Sequence, residues 1–195
     1  MAIDQVEMTT NPFDDDKLHE ECGVFGLYGH PDSAAHVALG LHALQHRGQE
    51  AAGIVSFDGT HFHSHRSLGS VGDHFSDANV IGQLKGHSAI GHVRYSTSGD
   101  TVLRNVQPLF ADLAGGGLAI AHNGNITNAT QLRRQLEKSG SIFQSTMDTE
   151  VILHLVARST GKDFLARLVD ALQRIEGGYA LVGLTGKKLV GARDP

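Results

Sequence analysis

A single cysteine, Cys22, begins an apolar segment that follows a polar, acidic leader. Because the chain has no second cysteine, Cys22 cannot form an intramolecular disulfide, and a lone cysteine is most often an inert, buried side chain. A thiol can also act as a nucleophile when a neighbouring base takes its proton. We interpret Cys22 as a nucleophile because three polar clusters further along the chain carry the other groups that acyl transfer requires.

These three clusters follow apolar strand-like segments or begin a helix-like segment. They are residues 91–97 (GHVRYST), residues 122–125 (HNGN) and residues 147–150 (MDTE). Acyl transfer needs donors that stabilise an oxyanion and groups that hold the substrate, in addition to a nucleophile and a base. Together with Cys22, the clusters contain a candidate for each of these roles except the base.

The residue types in the clusters match the groups of a glutamine-like substrate. The Arg94 guanidinium can bind an α-carboxylate through two parallel hydrogen bonds, which lysine cannot form. The Asp148 carboxylate can accept hydrogen bonds from an α-ammonium group. The side-chain amide of Asn123 and the backbone N–H of Gly124 can donate to the oxyanion, and one such donor contributes about 3–4 kcal/mol to catalysis.

The base is the missing group, because no histidine is clearly assigned to that role. An N-terminal cysteine provides its own base, since an α-amine has a pKa of about 7.7–8.0 and can take the thiol proton. This activation requires cleavage of the Glu21–Cys22 bond. We therefore predict that residues 1–21 are a leader, or propeptide, that is removed.

Each of these residues also has an ordinary structural interpretation, which the residues alone leave open. Cys22 can be an inert core cysteine, and Arg94 can be a surface ion-pair partner. Asn123 and Gly124 can form a hairpin turn. Asp148 can be a plain helix cap, which does not exclude ligand binding.

The histidines offer a further alternative, a metal site. His61, His63 and His65 alternate along one predicted strand, and His42 and His46 lie one helical turn apart. No cysteine or glutamate completes a recognisable ligand set beside them. We therefore expect solvated histidines and no metal site.

Composition limits the function classes. The chain has 195 residues, of which 40% are hydrophobic and 19% are charged, with a net charge of -5. Binding to nucleic acid usually needs a basic surface, so we expect no nucleic-acid partner. No apolar run approaches the roughly 20 residues of a membrane-spanning helix, and the N-terminus lacks the features of a signal peptide. The single cysteine fits a reducing compartment, so we predict a cytoplasmic protein.

Apolar periodicity and turn residues predict the secondary structure. The order of the segments is not a regular strand–helix alternation, which favours an α+β fold with antiparallel sheets covered by helices. Asp58-Gly59 predicts a two-residue hairpin turn. The predicted strands are 22–28, 51–57, 61–65, 88–95, 117–122, 179–184 and 188–192, and the predicted helices run from Asp32 or Ser33 to Gly48 and over 128–139, 148–159 and 164–175.

Five longer motifs include these clusters and the segments around them. They are EECGVFG (20–26), LHALQHRGQEAAGI (41–54), GHVRYSTSG (91–99), LAIAHNGNITN (118–128) and MDTEVILHL (147–155). Together they resemble the N-terminal glutaminase half of the amidophosphoribosyltransferases, the glutamine phosphoribosylpyrophosphate amidotransferases of purine synthesis. The resemblance implies an N-terminal-nucleophile hydrolase with a four-layer αββα sandwich, expected here to be truncated at the C-terminus. It also implies an acidic propeptide over residues 1–21 and a type 2 glutamine amidotransferase domain over residues 22–195.

The resemblance assigns the site residues one by one. It implies Cys22 as the nucleophile, Asn123 and Gly124 as the oxyanion hole, and Asp148 as the ligand of the substrate ammonium. The substrate carboxylate is expected to bind Arg94 together with Thr97. Met147 departs from the family pattern, in which we expect serine before the aspartate, so packing or a ligand hydrogen bond there is expected to differ.

The implied activity is the release of ammonia from glutamine. In the whole enzyme the ammonia would react with phosphoribosyl pyrophosphate and give phosphoribosylamine, in the first committed step of purine synthesis. The phosphoribosyltransferase domain that would bind phosphoribosyl pyrophosphate with magnesium is absent from this sequence, and we expect no cofactor in the glutaminase half. The resemblance implies a homo-oligomer for the full-length enzyme and leaves an iron–sulfur cluster undecided.

Two alternatives to this function remain. The first is a catalytically silent domain that binds glutamine as a sensor or serves in assembly. The second is the glutaminase of another type 2 amidotransferase, such as glucosamine-6-phosphate synthase, asparagine synthetase or glutamate synthase.

Overall fold

A computed structural model describes residues 22–95 and 102–194. The described residues form two antiparallel sheets of four strands each, packed face to face and covered by helices on their outer sides. This arrangement confirms the α+β, four-layer αββα architecture. Within these residues no helix is both long and apolar enough to span a membrane.

The first sheet and its helices come from the N-terminal half of the chain. The elements are β1 (Gly23–Tyr28), α1 (Ser33–Ala43), β2 (Ala51–Phe57), β3 (Phe62–Leu68), α2 (Val71–Phe75), α3 (Ala78–Gln83) and β4 (Ser88–Arg94). The strands pair in the order β1-β4-β2-β3. The apolar side of α1 buries Val37 and Leu41 against this sheet.

The second sheet and its helices come from the C-terminal half. The elements are β5 (Leu109–Leu113), β6 (Gly116–Gly124), α4 (Ala129–Lys138), α5 (Thr149–Arg158), α6 (Phe164–Leu172), β7 (Tyr179–Thr185) and β8 (Leu189–Arg193). The strands pair in chain order, β5-β6-β7-β8. The largest apolar cluster lies between this sheet and its helices, and it includes Ile152 and Leu155 of α5.

A smaller apolar layer joins the two sheets. Side chains alternate between the two faces of a strand. On β4, Ala89 and Val93 pack in the layer beneath α1, whereas Ile90 packs between the sheets. On β6, Ala119 and Ala121 pack between the sheets. The central strands β4 and β6 therefore face each other across this layer.

Several predicted elements differ in detail. Helix α1 ends at Ala43 instead of Gly48, and a 3₁₀ turn over Gln45–Arg47 follows it. The β2–β3 hairpin has a longer connection than the predicted two-residue turn, because the Asp58 carboxylate accepts hydrogen bonds from the backbone N–H groups of Thr60 and His61. The prediction missed α2, α3 and β5, which are all short.

Candidate active site

Strand register places Cys22 beside Arg94. Gly23 pairs with Val93 and Val24 pairs with His92, so Cys22 lies one position further, opposite Arg94. Opposite residues of an antiparallel pair point to the same face. Ile90 lies four residues before Arg94 on β4, on the same face of the strand, and packs between the sheets. Cys22 and Arg94 therefore lie on the face directed toward the second sheet.

Two contacts fix the position of Cys22. Its Sγ lies 3.6 Å from the carbonyl oxygen of Tyr95. Its own carbonyl oxygen accepts a hydrogen bond of 3.0 Å from Nε of Arg47, in the 3₁₀ turn that follows α1. Cys22 is partly exposed, so it is not a fully buried core cysteine, and its reactivity stays a prediction.

Burial raises the pKa of the Cys22 thiol above its ordinary value of 9.0. The hydrogen bond to the Tyr95 carbonyl oxygen and the positive charge of Arg94 oppose this shift, whereas the negative charge of Asp148 adds to it. The charges of both predicted substrate ligands therefore act on the thiol. Because a protonated thiol is a poor nucleophile, Cys22 needs a base in order to react.

Arg94 is 3% exposed at the end of β4, which excludes the surface ion-pair interpretation. Its Nη1 donates to the carbonyl oxygen of Asn105 at 3.3 Å and lies 3.6 Å from Sδ of Met147. Both partners are neutral, and no carboxylate within 22–95 or 102–194 forms an ion pair with Arg94. A buried cation without an anion is costly, so this position suits an incoming carboxylate.

Asn123 and Gly124 extend β6 and do not form a turn. They pair with Ala180 and Tyr179 of β7, so the hairpin-turn interpretation is wrong. Asn123 shares the strand face of Ala121 and is therefore directed toward the first sheet, where Cys22 lies. This orientation agrees with the predicted role of the Asn123 amide as a donor to the oxyanion.

Gly124 occupies a position that requires glycine. Its φ is +133°, a conformation that other residues rarely adopt. A Cβ atom there would lie 2.2 Å from the carbonyl oxygen of Gly178 and 2.8 Å from Cα of Tyr179. The close packing of β6 on this segment therefore fixes the orientation of the Gly124 peptide.

Asp148 is the N-cap of α5 and also contacts the chain that leaves β6. Its Oδ1 accepts a hydrogen bond of 2.8 Å from the backbone N–H of Thr149, and its Oδ2 accepts one of 3.0 Å from the backbone N–H of Ile126. The helix-cap interpretation is thus correct. The same carboxylate ties the start of α5 to the segment that follows Asn123 and Gly124.

Buried polar residues to which the sequence analysis assigned no role support this arrangement. The Gln107 side chain accepts from the backbone N–H of His122 at 2.7 Å and donates to its carbonyl oxygen at 3.2 Å. The His122 ring lies 3.2 Å from Oγ1 of Thr149 and 3.8 Å from Oδ1 of Asp148, and burial lowers its pKa. Their burial is set by tertiary packing, so no local sequence signal marks Gln107.

The loop before α5 is held by Glu150 and Arg133. The Glu150 carboxylate accepts hydrogen bonds of 2.7 Å from the backbone N–H groups of Gln144 and Ser145. The Arg133 guanidinium donates to the carbonyl oxygens of Ser145 and Met147. These contacts fix the segment that carries Met147 and Asp148.

A cavity of about 360 Å³ adjoins Asp148 on the side of α4. It is lined by Asn125, Ile126, Thr127, Ala129, Thr130, Arg133, Thr146 and Asp148. The predicted carboxylate ligand Thr97 lies outside the described residues, so its position relative to this cavity and to Arg94 stays a prediction.

One of the histidines in the β2–β3 hairpin forms a contact within the hairpin itself. His63 Nε2 lies 2.7 Å from Oδ2 of Asp58, which stabilises the connection between β2 and β3. Across the two described segments, no group of three or more histidine, cysteine, aspartate or glutamate residues is placed to hold a metal ion.

Comparison with known proteins identifies the family. Residues 92–195 match the family described as "Glutamine amidotransferase domain". The chain is also 50% identical over 184 residues to the amidophosphoribosyltransferase of Lacticaseibacillus casei, covering 94% of this chain and 95% of that sequence. The chain belongs to the amidophosphoribosyltransferase family. This result confirms the resemblance found in the five motifs.

Longer relatives and solved structures agree with this assignment. The chain is 59% identical over 187 residues to the amidophosphoribosyltransferase of Rhizobium etli, covering 96% of this chain and 38% of that protein. The chain therefore spans 38% of the length of that curated relative. The structure of glutamine phosphoribosylpyrophosphate amidotransferase from Bacillus subtilis, complexed with ADP and GMP, superposes with a TM-score of 0.81 and 44% identity, over 88% of this chain and 37% of that one.

Proposed function

We propose that this chain is the glutaminase half of an amidophosphoribosyltransferase and that it hydrolyses glutamine to glutamate and ammonia. The observation that carries the proposal is the buried guanidinium of Arg94, which stands opposite Cys22 without a carboxylate partner among the described residues. A substrate α-carboxylate would compensate this charge. The substrate amide would then extend toward the thiol.

The proposed reaction begins at a free N-terminus. The α-amine of Cys22 takes the thiol proton, and the thiolate attacks the side-chain carbonyl carbon of glutamine. The Asn123 amide and the Gly124 N–H donate to the oxyanion, while Asp148 accepts from the substrate ammonium. The proton on the amine passes to the leaving nitrogen, and ammonia departs from a γ-glutamyl thioester. Water then hydrolyses the thioester and restores the thiol.

The rest of the proposal concerns the whole enzyme. Residues 22–195 form the type 2 amidotransferase domain, and residues 1–21 are a leader whose removal creates the α-amine. Ammonia would react with phosphoribosyl pyrophosphate in a magnesium-dependent domain outside this sequence and give phosphoribosylamine. The names of the curated relatives and of the Bacillus subtilis structure support the use of glutamine and phosphoribosyl pyrophosphate by the whole enzyme.

The test compares the whole chain with a form that begins at Cys22. We expect glutamate release only from the form that begins at Cys22, and none after Cys22→Ser, with intact mass establishing the N-terminus of each sample. Brisk turnover with residues 1–21 attached would contradict the role of the α-amine. Glutamine binding without turnover in either form would favour the silent glutamine-binding domain.

A further inference from the structure

Arg94 is held by two neutral groups that lie outside its own strand. The carbonyl oxygen of Asn105 accepts from Nη1 at 3.3 Å, and Sδ of Met147 lies 3.6 Å from the same nitrogen. Within the described part of the chain, both side-chain hydrogen bonds of Arg94 use Nη1. The Nε and Nη2 groups therefore remain for the two parallel hydrogen bonds that a carboxylate accepts.

Asn105 is itself fixed to the loop that precedes α5. It is 2% exposed, and its side chain forms two hydrogen bonds with Thr146, one as donor and one as acceptor. Nδ2 of Asn105 donates to Oγ1 of Thr146 at 2.8 Å, and Oδ1 accepts from the backbone N–H of Thr146 at 3.1 Å. The carbonyl group that contacts Arg94 is thus coupled to the residue two positions before Asp148.

Met147 is fixed in the same loop by its backbone. Its N–H donates to Oγ of Ser145 at 3.2 Å, and its carbonyl oxygen accepts from Nη2 of Arg133 at 3.1 Å. These bonds set the direction in which the side chain leaves the loop, and its sulfur reaches Arg94. A thioether is a weak acceptor that leaves the guanidinium charge uncompensated.

We propose that Asn105 and Met147 are positioning residues for Arg94. Their contacts tie the ligand of the substrate carboxylate to the loop that carries Asp148, the ligand of the substrate ammonium. The two ligands then form one rigid unit whose spacing selects an α-amino acid over a simple amide. This inference rests on the proposed function for the roles of Arg94 and Asp148.

If Met147 and Thr146 only stabilised the fold, their replacement would have a different effect. Met147 also packs against the apolar cluster around α5, and that packing would be lost in a smaller side chain. Leucine keeps the apolar volume and removes the sulfur. Similarly, Thr146→Val keeps the shape of an exposed residue and removes the Oγ1 acceptor of Asn105. These two variants separate positioning of Arg94 from maintenance of the fold.

The test measures equilibrium affinity by calorimetry on the protein chain with Cys22→Ser as background. The ligands are glutamine and γ-aminobutyramide, which has the amide and the ammonium of glutamine and lacks the α-carboxylate. We expect Met147→Leu and Thr146→Val each to weaken glutamine binding about two- to tenfold and to leave γ-aminobutyramide binding unchanged. Met147→Leu is also expected to keep the melting temperature, whereas Thr146→Val lowers it slightly because the buried Asn105 amide loses an acceptor. The matched control is Ile142→Ala, in the same α4–α5 connection, where Ile142 is 82% exposed.

Two results would overturn the inference. The first is unchanged glutamine affinity in both variants. The second is an equal loss of affinity for both ligands, since that would indicate a general disturbance of the site. This test measures affinity and not turnover. If the protein binds glutamine without hydrolysing it, the proposed reaction is refuted, but the affinities still test the positioning of Arg94.

Discussion

Replacing Gly124 with alanine tests the oxyanion site and the local fold together. The substitution adds one methyl group at a position with φ of +133°. That methyl carbon would lie 2.2 Å from the Gly178 carbonyl oxygen and 2.8 Å from Cα of Tyr179. Both contacts are backbone atoms of the segment paired with β6, so no flexible side chain can move aside.

The magnitude follows from two separable costs. A residue with a side chain in this backbone conformation costs about 1–3 kcal/mol, and overpacking against backbone costs about 1–3 kcal/mol more. Gly116→Ala separates the two, because Gly116 begins the same strand with φ of +112° and a Cβ there would meet no atom within 4 Å. For a domain of this size, the overpacking cost corresponds to a melting temperature roughly 2–12 °C below that of Gly116→Ala.

The assay combines thermal unfolding with glutamate release from the form that begins at Cys22. If the Gly124 peptide donates to the oxyanion, displacing it is expected to lower kcat about 100- to 1000-fold, whereas Gly116→Ala is expected to keep the parent kcat. If Gly124→Ala has the melting temperature of the Gly116→Ala control and the kcat of the parent, both the packing argument and the oxyanion assignment are refuted.

Three further predictions follow from charge and burial. Arg94→Lys keeps the positive charge and removes the parallel pair of donors. Loss of one charge-assisted hydrogen bond is expected to raise the KM for glutamine about 10- to 100-fold. An unchanged KM would exclude Arg94 as the carboxylate ligand. Burial raises the pKa of Cys22. In the chain with the Glu21–Cys22 bond intact, the rate of alkylation by iodoacetamide is therefore expected to increase at higher pH than it does for a short cysteine peptide. Coincident pH profiles of the two rates would contradict the burial argument. Burial lowers the pKa of His92 from 6.5 to about 3, so the unfolded chain binds a proton that the folded protein does not, and stability falls as pH drops from 6.5 toward 3. His92→Leu is expected to reduce the slope of the free energy of unfolding against pH by up to about 1.4 kcal/mol per pH unit. Urea unfolding at several pH values measures this slope, and an identical slope would show that His92 does not contribute to it.

Elements with strong periodicity could be predicted from the sequence. The apolar strand β2, buried except at Phe57, matched its predicted limits, Ala51–Phe57, and α5 differed from its prediction by one residue at each end. Elements without a local signal could not be predicted. Strand β5 (Leu109–Leu113) alternates in burial but is only five residues long, and it gains its order from pairing with β6.

The candidate site divides in the same way. Arg94 at a strand end and Asp148 at a helix start could be selected from the sequence, because their charges match the carboxylate and the ammonium of a glutamine-like substrate. Asn105 and Gln107 carry no such signal, since an amide in a connecting segment is normally exposed. Their burial depends on contacts between β4, β6 and the loop before α5, which only the folded chain creates.

Within the described residues, each sheet of the sandwich is formed by one uninterrupted half of the sequence, and the chain passes from the first sheet to the second once, between β4 and β5. The proposed nucleophile and Arg94 lie in the first half, whereas Asn123, Gly124 and Asp148 lie in the second. Neither half alone contains all of the proposed reacting groups. Splitting the gene at this crossover would yield two inert fragments, and recovery of turnover on mixing them would report directly on docking of the sheets.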